Sequence, residues 1–308
     1  MDNHKYISYI KIYGSSGSLQ HYYHFFFGVL IPLILEYVKY KKKYDNCTFI
    51  IKDDVGPFFR ILFDLPIDIK LDFFFDTSKF NIEQKWLIPL DTQLFTDKNI
   101  LMIKRKYADI FTNSLRIIIN KWFIEQINTY NFYVHSNYNM NNIDILIIER
   151  KINISFKTSY SKNIIRNENK KLYDFKKKSG AERRYIINHS KFVKFIKDYF
   201  PKKNVINIST EYMSIFEQFY LFHNAKLVIA QHGAALANII FMKNKSSVIE
   251  LIHKEQLSKN WFLNLSKECD KLKYMQYITN EENPVIDLEK FKLFLDDNHV
   301  LHQKKHIQ

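Results

Sequence analysis

Residues Leu227–Ile252 read LVIAQHGAALANIIFMKNKSSVIELI, and this stretch decides the fold. Leu227–Ala230 is a short unbroken apolar run, as in a strand buried on both faces. His232-Gly233-Ala234 makes a tight turn, Ala235–Phe241 a short helix, and Ser247–Ile252 a second strand with Glu250 read at its end. Strand, helix and strand in so few residues imply a right-handed crossover within a parallel sheet. Such sheets bind ligands at the carboxyl ends of their strands, which is where this turn falls. The N–H groups opening the helix favour an anion, and a diphosphate suits them. Gly233 lets backbone and ligand approach closely. His232 can donate to a phosphate oxygen, and Glu250 can accept from the two hydroxyls of a ribose. The same residues also fit a capping turn with a satisfied histidine and a surface glutamate.

The pattern continues upstream. Ile143–Glu149 (IDILIIE) is another buried strand, preceded by an Asn-rich linker at residues 137–142. Asn188–Tyr199 reads as a helix and Asn204–Ile208 as a strand. Ser214 and Glu217 form a capping box that opens a helix running to His223. Asp287 caps a last helix, Leu288–Leu295. In the first half, Tyr6–Tyr13 and Cys47–Lys52 read as strands. Ile61–Leu65, Ile67–Phe75 and Trp86–Pro89 are shorter strand candidates. His21–Tyr40 and Phe111–Asn128 read as helices, the former aromatic on several faces and so buried.

The chain has 308 residues, enough for two modest domains, and 46% of them are hydrophobic. Its formal charge is +14, which favours an anionic partner: a phosphorylated small molecule, nucleic acid or an acidic membrane surface. Residues 150–184 hold twelve Lys/Arg and three Asp/Glu, and this basic segment is the candidate for peripheral membrane contact. Cys47 and Cys269 cannot make a disulfide framework and fit no zinc spacing. The apolar run Phe25–Leu35 is too short to span a bilayer and poorly placed for a signal peptide, so a cytoplasmic location is expected. No helix-turn-helix, zinc-finger or RNP-like signature supports nucleic-acid binding, the main alternative function. No Asp-x-Asp triplet and no cluster with metal-ligand spacing occurs, so no metal cofactor is expected.

The string from His232 resembles the signature of glycosyltransferase family 61, HGAgLtNllF followed by V-x-E-L. The matching residues are His232, Gly233, Ala234, Leu236, Asn238, Phe241, Val248, Glu250 and Leu251. Upstream, the family has a strand ending in Ser-Arg and then a segment like RR-x-x-NE. Here Glu149-Arg150 and Glu182-Arg183-Arg184-Tyr-Ile-Ile-Asn188 hold those places, with Glu149 for the serine and His189 for the acidic residue. A solvated basic loop is the other reading of the arginines, and an inactive relative the other reading of the departures. In the first half, His21-Tyr-Tyr-His24-Phe25-Phe26 is similar to the family's aromatic step opening a helix.

The resemblance implies an α/β fold of the GT-B type: two Rossmann-like domains with parallel sheets facing across a cleft. The boundaries expected are 1–140 for an acceptor-side domain and 141–285 for a nucleotide-sugar domain. Residues 286–308 would form a helix and tail packing back toward the first domain. It implies inverting transfer from a nucleoside-diphosphate sugar, by analogy a UDP-sugar, to a hydroxyl of a glycan or glycoprotein. Arg150, Arg184, Asn188, His232, Gly233, Ala234, Asn238 and Glu250 would bind the donor. His24 would be the general base, if it is not simply a core histidine among aromatics, with Asp53 and Asp54 as reserves.

Overall fold

The apolar runs fall into two separate parallel sheets. The computed structural model describes residues 4–11, 22–42, 46–51, 58, 60–71, 100–103, 111–130, 142–150, 184–210 and 213–301, and the structural statements below concern these. The chain divides into two compact units. One takes Met1–Asn131 and Asn153–Lys176, and the other takes Phe132–Ile152 and Lys177–Gln308. Both sheets are all-parallel and mixed with helices, as a Rossmann-like α/β protein requires.

The first unit holds strands β1 (His4–Lys11), β2 (Asn46–Ile51), β3 (Asp68–Leu71) and β4 (Ile100–Ile103), ordered β3-β2-β1-β4. A helical segment follows β1: α1 (Tyr22–Phe25), a π-helical turn Phe26–Leu30, and α2 (Ile31–Lys41). Phe25, Phe26, Phe27, Val29, Leu30, Ile31, Leu33 and Ile34 along it are all buried. This is the helix expected at His21–Tyr40, apolar on several faces because it is enclosed. The expected strand at Ile61–Leu65 is instead a turn of helix, α3 (Arg60–Phe63). Leu62 and Leu65 are buried three residues apart while Asp64 is exposed. So short an apolar run is ambiguous until that spacing is seen. Helix α4 (Asn113–Tyr130) packs against α2. The strand expected at Trp86–Pro89 lies outside the described residues, as do Asp53, Asp54 and the basic residues 151–183.

The second unit is built on β5 (Ile145–Ile148), β6 (Val205–Ile208), β7 (Leu227–Gln231), β8 (Ser247–His253) and β9 (Lys273–Thr279), ordered β6-β5-β7-β8-β9. Its helices are α5 (His189–Tyr199), α6 (Ile215–Asn224), α7 (Trp261–Lys267) and α8 (Leu288–Asp297), with 3₁₀ segments at Ala234–Phe241 and Lys254–Lys259. Alternate strand residues point to opposite faces. Ile145, Ile147, Leu227, Ile229, Ile249 and Leu251 share one core with Phe192 and Ile196 of α5 and Phe291 and Leu295 of α8. The Ala234–Phe241 segment packs with α6 and α7. The capping box at Ser214 is present in both directions, and Asp287 caps α8 by accepting from Lys290 N–H.

The buried residues Phe291 and Leu295 of helix α8 lie in the second unit's own core. Phe291 packs edge-on against Phe192 and Tyr277, so its apolar stripe is spent on α5 and β9. Among the described residues, no helix is long and apolar enough to cross a membrane.

Candidate functional site

Counted along the second unit, its five strands lie in the spatial order second, first, third, fourth, fifth. The chain leaves β5 to one side for β6, then returns to the other side for β7. Between β5 and β7 the connections diverge, which opens a crevice at the strands' carboxyl ends. Ile148 of β5 pairs with Ala230 of β7, so Glu149-Arg150 and Gln231-His232-Gly233 leave the sheet side by side. The residues singled out in two distant stretches of sequence thus meet at the switch point.

Gly233 has extended backbone, φ 170° and ψ 174°, which any residue can adopt. Space is what it provides. A Cβ built on it would lie 1.8 Å from Arg150 Nη2 and 2.5 Å from Cζ, so the Arg150 guanidinium occupies the place of a side chain. A second arginine comes from further along the chain, between Arg150 and the turn: Arg184 donates from Nη1 to the His232 carbonyl at 3.2 Å. Two guanidinium groups therefore flank one turn, followed by the N–H groups that open the Ala234–Phe241 segment. The turn of that segment is closed by Leu236 N–H donating to Gly233 O at 2.9 Å.

His232, beside the turn, is buried, with 3% of its surface exposed. Its Nδ1 lies 2.7 Å from Glu250 Oε1, and Glu250 is 1% exposed. The other carboxylate oxygen accepts from Gln276 Nε2 at 2.8 Å. The sequence reading has Glu250 facing a ribose; in the structure both its oxygens are turned to protein groups behind His232. The cause is strand alternation: Glu250 sits inside β8, its register partners being Ala230 and Gln276, not on the exposed loop beyond the strand. Tyr274 neighbours the same carboxylate. Burial first, and the Glu250 charge second, push its phenol pKa upward, so it stays protonated. Around the imidazole stand Phe262, edge-on at 5.4 Å, and Trp261, tilted at 6.1 Å and half exposed. A small pocket beside the turn is lined by Arg184, Gln231, His232, His253, Gln256 and Thr279, among others.

Two further donor-binding candidates serve the fold here. Asn188 pairs with the Ile286 backbone in both directions, donating to its carbonyl and accepting from its N–H, each at 2.9 Å. That holds the start of α5 against the chain leading into α8. Asn238 is fully buried and donates to Gln218 Oε1 at 2.8 Å, joining the 3₁₀ segment to α6. Glu149 and His189, the two departures from the family pattern, meet through one side chain: Asn207 donates to Glu149 Oε2 at 3.2 Å and holds His189 Nε2 at 3.0 Å through its own oxygen. The exchange of residue types is therefore accommodated locally, at the ends of β5 and β6. In the first unit, His24 is partly buried at the end of α1, edge-on to Tyr23 and directly before the π-helical turn.

The sequence did not reveal Gln276, Tyr274, Trp261 or Phe262. The first two sit on β9, whose sequence KYMQYIT lacks a clean apolar alternation. The signal available was register: once β9 is placed beside β8, Gln276 is the partner of Glu250.

No curated protein matches the chain. The family model described as Glycosyltransferase 61 matches residues 22–249, a span that includes the aromatic step at His24, both arginine sites and the His232 turn, and stops one residue short of Glu250. By that match over most of its length, the chain belongs to glycosyltransferase family 61 and is a glycosyltransferase, taking a sugar donor and an acceptor.

Proposed function

We propose that the chain transfers a sugar from a UDP-sugar to a hydroxyl of a glycan or glycoprotein, with inversion and without a metal ion. The observation that carries this reading is the convergence of Arg150 and Arg184 on the His232-Gly233 turn at the switch point of the second sheet. A departing diphosphate carries negative charge that must be neutralised, and guanidinium groups pair with phosphate oxygens in a fixed bidentate geometry. The diphosphate lies against this turn, between the two arginines, with His232 and the N–H groups of Ala234 onward completing the cradle. In the transfer, the acceptor oxygen attacks the anomeric carbon, its proton passes to a base, and the bond from that carbon to the diphosphate oxygen breaks on the opposite face. His24 in the first unit is the proposed base, since every proposed donor-binding group belongs to the second.

Calorimetry with UDP against the other nucleoside diphosphates, in chelator, tests the reading. UDP binds in the absence of metal, and Arg150→Ala or Arg184→Ala weakens it by about 1.5–3 kcal/mol, the range of a hydrogen bond to a charged group. Binding that appears only with a divalent ion, or that ignores both arginines in folded variants, overturns it.

A further inference from the structure

A histidine that is to serve an anionic ligand has two ring nitrogens, and its neighbours decide which of them is presented. His232 has one nitrogen committed. Nδ1 lies 2.7 Å from Glu250 Oε1, both side chains being almost wholly buried. An ionised carboxylate only accepts, so the ring proton sits on Nδ1. Gln276 Nε2 holds the second carboxylate oxygen at 2.8 Å, which prevents the carboxylate from rotating away. The Nε2 of His232 makes no hydrogen bond among the described residues, and His232 lines the pocket beside the turn together with Arg184. Phe262 and Trp261 pack around the ring and limit its rotation.

We propose that Glu250 is a positioning residue: with Gln276 behind it, its buried carboxylate fixes the Nδ1–H form and the orientation of His232, leaving Nε2 as the nitrogen that meets the leaving diphosphate. This rests on the reading of the turn as the diphosphate site. It gives Glu250 a role that needs no contact with the donor. It also accounts for a buried carboxylate where an apolar residue would fill the strand: burying an unpaired charge is costly, and here the charge is held by His232 and Gln276. Diphosphate oxygens only accept, so Nε2 meets them through a proton taken up from solvent as the ligand binds, and the imidazolium so formed donates to phosphate on one side and to Glu250, which balances its charge, on the other.

The test uses the full chain labelled with ¹⁵N-histidine, long-range ¹H–¹⁵N spectra at a pH where the imidazole is neutral, and UDP titrations by calorimetry. Wild-type His232 shows the Nδ1–H form. Glu250→Leu moves the proton to Nε2 or mixes the two forms and weakens UDP at least tenfold. Glu250→Gln, which can still accept through its amide oxygen, is affected less on both counts. Gln276→Leu keeps the tautomer but loosens the ring, and weakens UDP by a smaller factor; it also serves if Glu250→Leu does not fold. An Nε2–H form in the wild type overturns the proposal. So does UDP affinity that survives a changed tautomer in folded Glu250→Leu. If the wild type has the Nδ1–H form but binds no UDP, the diphosphate reading fails and this inference fails with it. If the wild type binds UDP and Glu250→Leu binds it equally, this inference alone fails.

Discussion

Replacing Gly233 by alanine puts a methyl carbon where the Arg150 guanidinium lies, at 1.8 Å from Nη2. The clashing atoms are the far end of a long side chain, and the backbone there is extended, so the arginine moves and the fold does not suffer. Gly233→Ala is therefore expected to change stability by less than about 1 kcal/mol while weakening UDP binding as Arg150→Ala does. The two changes should not add, because they remove the same contact. Calorimetry on the single and double variants, with chemical denaturation alongside, checks both points; full additivity would mean that Gly233 acts on the ligand directly, as the sequence reading has it. Asn238 behaves in the opposite way. Truncating it to alanine leaves a buried partner in Gln218 and should cost about 1–3 kcal/mol of stability with unchanged UDP affinity once the protein is folded. These cases show what is legible in single residues. The sequence singled out His232, Gly233, Arg150 and Arg184 by residue type and motif spacing, and the structure brings these four to one turn. The sequence could not separate Asn238 and Asn188, which fit the same motif, from ligand contacts, because whether a polar side chain faces a ligand or a neighbouring element is fixed only by packing.

At the scale of elements, β5 to β8 were readable because their short apolar runs alternate with helical patterns and turn signals, which settles what each run alone leaves ambiguous. β9 and β4 were not: β9 is half-polar and at a sheet edge, and β4 is a short apolar run with no alternation to set strand apart from helix. Asp144 shows how the strands are registered. At the start of β5, its Oδ2 accepts from Asn204 N–H at 2.9 Å and its Oδ1 from Lys226 Nζ at 2.8 Å, joining β5 to the chain entering β6 and β7 on either side. Burial pulls its pKa upward, but Lys226, the Asn204 N–H and Lys203 outweigh this and hold it below the usual carboxylate value. A folded pKa below the unfolded one means stability that is fully present above the ordinary value near about 4 and is lost as pH falls from there through the lower folded value. Asp144→Asn should thus be less stable than wild type at neutral pH, with the gap in urea midpoint closing as pH falls from about 4 through that folded value. A gap that stays constant over that window would show that the contact is not carried by charge. The joint lies at the end of the sheet opposite the arginines, so UDP binding at neutral pH should be untouched in the folded variant.

For the whole molecule, the division into two units, each with its own parallel sheet, raises the question of where the chemistry is shared. The groups proposed to hold the diphosphate, Arg150, Arg184, His232 and the Ala234 turn, all belong to the second unit. Charge neutralisation alone speeds departure of the leaving group but does nothing for the acceptor hydroxyl, a weak nucleophile that benefits from a positioned base by roughly 10²–10⁴-fold. Among the residues outside the second unit, His24 stands in a helix whose core is completed by Phe25, Phe26 and Phe27 and which continues into a π-helical turn. Such turns interrupt a regular helix and occur often at functional sites. The half-buried ring gives the imidazole a fixed orientation against Tyr23. If His24 takes the acceptor proton, His24→Ala should lower turnover by at least about a hundredfold and leave UDP affinity within about twofold, because binding and proton transfer are then carried by different units. Asp53 and Asp54 provide the counter-test: a folded Asp53→Asn or Asp54→Asn that loses turnover, beside a His24→Ala that keeps it, would assign the base to a carboxylate.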